Sequence, residues 1–432
     1  MTRPALVLAS IALAATAAAQ STPSLASPTL IAVKAAHLID PVAGRRIDDA
    51  VVLIEGDRVT QVGTKLPIPA GATVIDLGGA TILPGLIDVH THLSSESGNY
   101  YDDLFRKSPI DVAVRAHLYA KRTLDAGFTT VRDVGGAELI DVALRNAIDA
   151  GVIPGPRMKV AAMAISATGG HGDLNGFSPY LRFDGSLSRT ADGVDEIRKA
   201  VRRDVKYGAD LIKVLAGAGV LSEEESAGAP QYSQVELDAL VQEATMWGRK
   251  VAAHAHGAEA IKRAIKAGVA SVEHAGLIDE EGVRLAKEHG TYLVPDIWTD
   301  IYILEHGADL GLPEKIIAKE RQLRKAQDVN WRRAKDAGVK FAFGTDAGVY
   351  PHGQNANQFQ YLVQSIGFTP MQAIQMATVN AAELLGWSDR VGSLAPGRFA
   401  DLIAVDGDPI ADIRQLEHVR FVMKGGATVR TQ

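Results

Sequence analysis

From about residue 120 to 345 the chain repeats one unit: an amphipathic helical stretch ends in glycine and gives way within a few residues to a short apolar or β-branched run. The junctions are LDAGFTTVRDV at Gly127, KYGADLIKVLA at Gly208, WGRKVAAHAH at Gly248, KAGVASVEHA at Gly268, EHGTYLVPD at Gly290 and DAGVKFAFGTD at Gly338. Glycine suits the position just past a helix because it takes left-handed backbone without a Cβ penalty, and the chain then turns into a strand. Repeated helix-to-strand units predict an α/β fold whose parallel strands are buried on both faces.

Strand-like runs fall near residues 90, 131, 160, 213, 253, 272, 293 and 343. Eight such runs match a (β/α)8 TIM barrel, here over residues 85–390. A doubly wound open sheet is the alternative, weakened because no G-x-G-x-x-G opens a helix after a first strand. The flanks have another texture. Residues 29–84 and 391–430 carry strand-like runs broken by Gly, Asp and Pro turns. Two such flanks around a βα core predict one small composite β-sandwich domain built from both ends. The segment Gly217 to Gln231, rich in Glu, Gly and Ala, is expected to be a flexible lid or substrate loop.

Ahead of these elements Arg3 precedes an apolar run from Ala5 to Ala19, followed by polar Gln20 to Ser24. A run this short falls below the ~20 residues of a spanning helix. With Ala17-Ala18-Ala19 as an A-x-A cleavage site, residues 1–19 are expected to be a secretory signal, and the mature protein to be exported to a periplasm or the medium. No membrane association is expected after its removal.

Composition narrows the chemistry. With 45 Lys plus Arg against 51 Asp plus Glu, the formal charge of -6 offers no electrostatic reason to expect nucleic acid as a partner. The absence of cysteine excludes disulfides, thiolate metal sites and a cysteine nucleophile, so any metal must be held by His or carboxylate. The 12 histidines therefore matter. Barrel enzymes place catalytic groups at the C-terminal ends of strands. Polar residues interrupt the apolar runs there: His90 and His92, Lys213, His254 and His256, His274, and Asp346. Residues i and i+2 of a strand share a face, so His90 and His92 can address one cation. A single strand-end His is ordinarily a hydrogen-bonded structural residue; five such strand ends together indicate a metal site.

Alternation puts Leu211, Lys213 and Leu215 on one face of DLIKVLA, which sends an amine into a cation-binding mouth. A bare ammonium there would be repelled and poorly solvated. It can pair with a carboxylate such as Asp346, or react with carbon dioxide to give an anionic carbamate. Spacing leaves both open.

The chain resembles the metal-dependent amidohydrolase superfamily over nearly all of its expected mature length. The resemblance is carried by ATVIDLGGATILPGLIDVHTHL, GFTTVRDVGG, KVLAGAGV, VAAHAHG, VEHAG, GTDAG, NAAELLG and GSLAPGRFADLIAVDGDP. It is most similar to the imidazolonepropionase-related branch, which includes Xaa-Pro dipeptidases, carboxypeptidases acting on N-acyl amino acids and ochratoxin-degrading amidases. The resemblance implies that His90, His92 and Asp346 bind one divalent metal and that His254 and His274 bind a second, with carbamylated Lys213 bridging both. Zinc is the metal it implies, and a homo-oligomer the assembly.

Two cations lower the pKa of a shared water toward ~7 and polarise the amide carbonyl. Asp346 then serves as general base and, toward the departing amine, as general acid. His171 in ATGGHGDLNG and His256 are candidate substrate contacts, with Tyr232, Ser94 and Tyr100 as further ones. The expected substrate is a small amide or dipeptide cleaved before a C-terminal amino acid, including an N-acyl-Phe amide such as ochratoxin A. Cyclic-amide hydrolysis of the imidazolonepropionase kind is disfavoured by H-A-H at 254–256 and by Lys213. A lactonase uses the same chemistry, and a non-enzymatic scaffold would have lost ligands that are all present here.

Overall fold

The computed structural model describes residues 29–96, 106–180, 189–222 and 226–431. The expected signal at 1–19 and Tyr100 lie outside the described residues. The chain opens with β1 (Leu30–Asp40), β2 (Arg45–Glu55), β3 (Arg58–Thr64), β4 (Thr73–Asp76) and β5 (Thr81–Pro84). Strands and helices then alternate: β6 (Leu86–Thr91), α1 (Pro109–Asp125), β7 (Phe128–Asp133), α2 (Ile140–Asp149), β8 (Arg157–Val160), α3 (Gly193–Lys206) and β9 (Leu211–Leu215). They continue as α4 (Gln234–Met246), β10 (Lys250–Ala255), α5 (Ala258–Ala267), β11 (Ser271–His274), α6 (Glu280–His289), β12 (Tyr292–Val294), α7 (Ile297–His306) and α8 (Glu314–Asp336). Short helical pieces follow, then β13 (Leu402–Val405), β14 (Phe421–Lys424) and β15 (Ala427–Thr431).

Both flanks meet in one mixed sheet of order β15-β14-β13-β5-β1-β2-β3, with β4 also beside β1. The hydrogen-bonded ladder is continuous through the length of β1: residues 31–34 pair with β4 and 37–38 with β5 while the other edge pairs with β2. Its apolar face packs together through Val33, Val52, Ile82, Leu402, Phe421 and Met423.

The alternating region forms two parallel sheets, β6-β7-β8 and β9-β10-β11-β12. Ile165 bridges Val214 between them, and Asp210 N donates to Val160 O at 2.7 Å. All six junction glycines take positive φ, from +66° to +103°, as their place after a helix requires. The apolar run from Ile82 through Val89 divides at Gly85, where the chain passes from the mixed sheet into the parallel one. A Cβ at Gly85 would stand 2.0 Å from Thr129 Oγ1, so only glycine fits this crossing.

The run near 343 is not a strand. It touches its neighbours at isolated parallel bridges, Phe341 to Leu293 and Ala347 to Thr91, and Val89 N donates to Phe343 O at 2.9 Å. Toward its end Asp346 adopts φ +56°, a left-handed conformation that is costly for a non-glycine residue. Among the described residues no helix is long and apolar enough to cross a membrane.

Candidate metal centre and substrate cavity

The C-terminal ends of the parallel strands surround a cavity of about 370 Å³. His90, His92, His171, Lys213, His254, His256, His274 and Asp346 all line it, so these residues of six separate segments converge. Ser94 is buried and Tyr232 is 2% exposed, and neither belongs to the lining. Tyr232 is a structural residue rather than a substrate contact: its hydroxyl donates to Ala191 O at 2.9 Å within the main apolar core.

Two groups of ligand atoms lie within 4.8 Å of one another: His90, His274 and Asp346, and His254, His256 and His274. His274 thus stands between the two groups, and His256 stands with the ligand histidines as well as at the cavity wall. Asp346 Oδ1 lies 3.4 Å from His90 Nε2 and 3.2 Å from His92 Nε2.

The supporting contacts fit a metal. His274 Nδ1 meets Asp296 Oδ2 at 2.6 Å, His92 Nδ1 meets Gly135 O at 2.8 Å, and His90 Nδ1 lies 3.1 Å from Glu273 Oε2. Metal-binding imidazoles hold their other nitrogen in this way, which fixes tautomer and orientation. Glu273 is in turn held by Arg132 Nη2 at 2.7 Å, and Arg132 also donates to Val89 O and Ser271 Oγ.

Electrostatics agree. Burial, then the Lys213 charge, pushes His90 down to about 3. Burial, then His274 and Lys213, pushes His171 down to about 3. Burial and neighbouring imidazoles hold His254 and His256 well below the ordinary histidine value. Neutral imidazole is the form that ligates a cation. For His92 and His274 burial opposes the charged form, but Asp346 and Asp296 respectively outweigh it and raise both. Burial resists ionisation of Asp346, yet His90 and His92 hold its carboxyl far below the carboxylate range. Burial pushes the Lys213 amine down.

Backbone bonds place the ligands. Asp346 N donates to His90 O at 2.8 Å and His92 N to Ala347 O at 2.8 Å, so the two segments register directly. Beneath them Asp88 accepts from His90 N, Thr345 N, Thr345 Oγ1 and Asn355 Nδ2 at 3.0, 3.2, 2.6 and 2.8 Å. The loop from Gly217 is pinned over the cavity: Gly217 bridges Pro230, and Lys319 Nζ donates to Gly219 O and Ser222 O at 3.2 and 2.8 Å. A Cβ on Gly219 would stand 2.2 Å from His171 Cε1, so the loop backbone seats against that ring.

Sequence reading missed Asp88, Arg132, Glu273, Asp296, Asp300 and Glu320. A signal existed for two of them. PDIWTD directly follows the TYLV run, so Asp296 sits just past a strand end as the candidate ligands do, and Asp300 follows one helical turn later.

Residues 81–429 match the Amidohydrolase family. Ochratoxinase of Aspergillus niger is 33% identical over 415 residues, covering 90% of this chain and 85% of that protein. A solved Xaa-Pro dipeptidase with methionine bound in its active site is 38% identical, with TM-score 0.87 over 93% of this chain and 99% of that one. A prolidase complexed with N-methylphosphonate-L-proline is 32% identical, with TM-score 0.88 over 94% of this chain and 100% of that one.

Proposed function

The chain belongs to the amidohydrolase family and is a hydrolase of amide bonds, and on that premise we propose a binuclear enzyme that cleaves the amide joining an acyl group to a C-terminal amino acid. The observation that carries this reading is the convergence of His90, His92, His254, His274, Lys213 and Asp346 on one buried cavity, with His274 and His92 anchored through Nδ1. His90, His92 and Asp346 would hold one divalent cation, His254 and His274 the other, and Lys213 both. The cations, most simply zinc, would supply an activated water and a polarised carbonyl.

Lys213 meets this role as a carbamate. Its nitrogen adds to the carbon of carbon dioxide and gives up a proton, leaving an anion between the two ligand groups. Burial favours the neutral amine that undergoes this addition. Asp346 accepts the proton of the attacking water on a carboxylate oxygen and delivers it to the departing amine nitrogen. His171 and His256 are neutral, each with an unpaired Nδ1, and are available to hold the substrate carbonyl or carboxylate.

A cavity of about 370 Å³ suits an amino-acid amide. The relative with bound methionine and the ochratoxinase support amides that release an amino acid, ochratoxin A among them. An ester or lactone is open to the same attack. We further propose that the seven strands of the two parallel sheets and the bridged segment 340–347 together make one (β/α)8 barrel over residues 85–390, with 29–84 and 391–430 as a composite β-domain. Export after loss of residues 1–19 and a homo-oligomeric assembly belong to the same reading.

The test is metal analysis with a panel of X-Pro, X-Arg and N-acyl-Phe substrates on wild type and Lys213→Ala. Two metals per chain and amide turnover that Lys213→Ala lacks are expected. Full activity of Lys213→Ala without added carboxylate would refute the bridging carbamate, and less than one metal per chain without turnover would refute the enzyme.

A further inference from the structure

One wall of the cavity is made by α7 and the start of α8, and it carries carboxyls that the hydrolytic chemistry does not use. Asp296, Asp300 and Glu320 all line the cavity. Asp296 is engaged by His274. The other two face each other: Asp300 is 2% and Glu320 0% exposed, they lie close enough to share a proton, and no donor group of the described residues reaches Asp300 Oδ2 or either Glu320 oxygen. Among the described residues neither forms an ion pair. The nearby Arg324 is committed to Asp328.

A buried carboxyl without a donor is expensive, of order several kcal/mol when charged. Such a group at a cavity wall calls for a ligand that supplies donors or positive charge. The cavity lining also carries the apolar Val220, Ile303, Leu310, Leu312, Ile316 and Val349, and among the described residues its one guanidinium, Arg189, is paired with Asp204. Apolar side chains together with carboxyls that lack a donor fit an aliphatic stem with a cationic head. Asp300 lies four residues after Asp296, hence one turn along the same helix face, and Asp296 itself holds His274. The two carboxyls thus line the same cavity as the candidate metal ligands, a setting that suits the four-carbon stem of lysine or the guanidinium of arginine. A divalent cation is a poorer occupant, since two free carboxyls fall short of the oxygen cage such an ion takes. A phenyl ring would leave both carboxyls without a donor.

We propose that Asp300 and Glu320 form a cation subsite, and that the enzyme prefers amides releasing a C-terminal amino acid whose side chain ends in a guanidinium or ammonium group. This rests on the amidase reading of the same cavity.

Paired substrates test it: N-acetyl-L-arginine against its neutral isostere N-acetyl-L-citrulline, and Nα-acetyl-L-lysine against N-acetyl-L-norleucine, which lacks the ammonium, with N-acetyl-L-phenylalanine alongside. The holoenzyme should show kcat/KM higher for the cationic member by roughly 10- to 100-fold, the range of a charge-assisted hydrogen bond. Citrulline, norleucine or phenylalanine substrates turned over as well or better would overturn the subsite. In Glu320→Gln and Asp300→Asn the arginine-to-citrulline ratio should fall toward one, and an unchanged ratio in both would overturn it too. Should neither these N-acetyl amino acids nor the X-Pro and X-Arg dipeptides be hydrolysed, the amidase reading fails. Where the N-acetyl amino acids are not hydrolysed, the subsite is judged on wild type alone by calorimetric titration with free L-arginine and L-citrulline. Tighter arginine binding supports the subsite; equal or undetectable binding of both overturns it.

Discussion

Removing the Asp88 carboxyl should damage the protein far more than neutralising it. Asp88 is fully buried and accepts four hydrogen bonds, two on each oxygen. In Asp88→Ala the Thr345 hydroxyl and Asn355 amide can still pair with each other, because they already lie 3.4 Å apart and Asn355 Oδ1 has no partner. The backbone N–H groups of His90 and Thr345 lose their acceptor, although Thr345 N retains a bond to His90 O at 3.3 Å. At about 1–3 kcal/mol for each stranded donor, the loss is roughly 2–6 kcal/mol. With unfolding entropy of about 2 cal/mol/K per residue over ~400 residues, Tm falls by roughly 2–7 °C. In Asp88→Asn the retained oxygen can keep both backbone donors, while the new NH2 faces Asn355, whose amide turns over to present its free oxygen.

That variant should lose less than about 1.5 kcal/mol, the scale of one hydrogen bond. Burial raises Asp88 from 3.8 to about 7 despite its four donors. The unfolded chain therefore ionises this group first, and the stability due to Asp88 falls as pH rises from about 4 to about 7. The Tm deficit of Asp88→Asn should shrink across that window and level off above it. Scanning calorimetry of the three proteins from pH 4 to 8 is the assay. Equal losses in the two variants, or a deficit of Asp88→Asn that grows with pH, would refute the reasoning.

Asp296→Asn removes the charge facing His274 Nδ1 at 2.6 Å and should weaken metal retention about 10- to 100-fold, read by metal content after graded chelation. Lys213→Ala should lose most turnover and recover part of it with a short carboxylate such as acetate, measured with any cleaved amide. Tyr232→Phe deletes one buried hydrogen bond to Ala191 O and should cost about 0.5–1.5 kcal/mol of stability, with KM unchanged. A raised KM at unchanged stability would return Tyr232 to the substrate side.

The parallel architecture and most of the candidate metal centre were legible before folding because their causes are local. Gly127, Gly208, Gly248, Gly268, Gly290 and Gly338 each mark a left-handed step after a helix, a demand that a single residue states by itself. His90, His92, Lys213, His254, His274 and Asp346 stand out as polar residues at the ends of apolar runs, which is also a local contrast. Zero cysteine confines any metal to nitrogen and oxygen ligands.

Tertiary structure decided what depends on partners distant in sequence. The run near 343 has the composition of a strand, yet it pairs only at isolated bridges and through single bonds to the His90 segment, where Asp346 takes φ +56°. Tyr232 looked like a loop residue facing substrate, and only the position of Ala191 shows its hydroxyl to be occupied. Asp300 and Glu320 are ordinary helical acids in the sequence, on α7 and α8. Packing those helices against the cavity is what buries both carboxyls beside each other, and burial is a property of the assembled wall that no local pattern encodes.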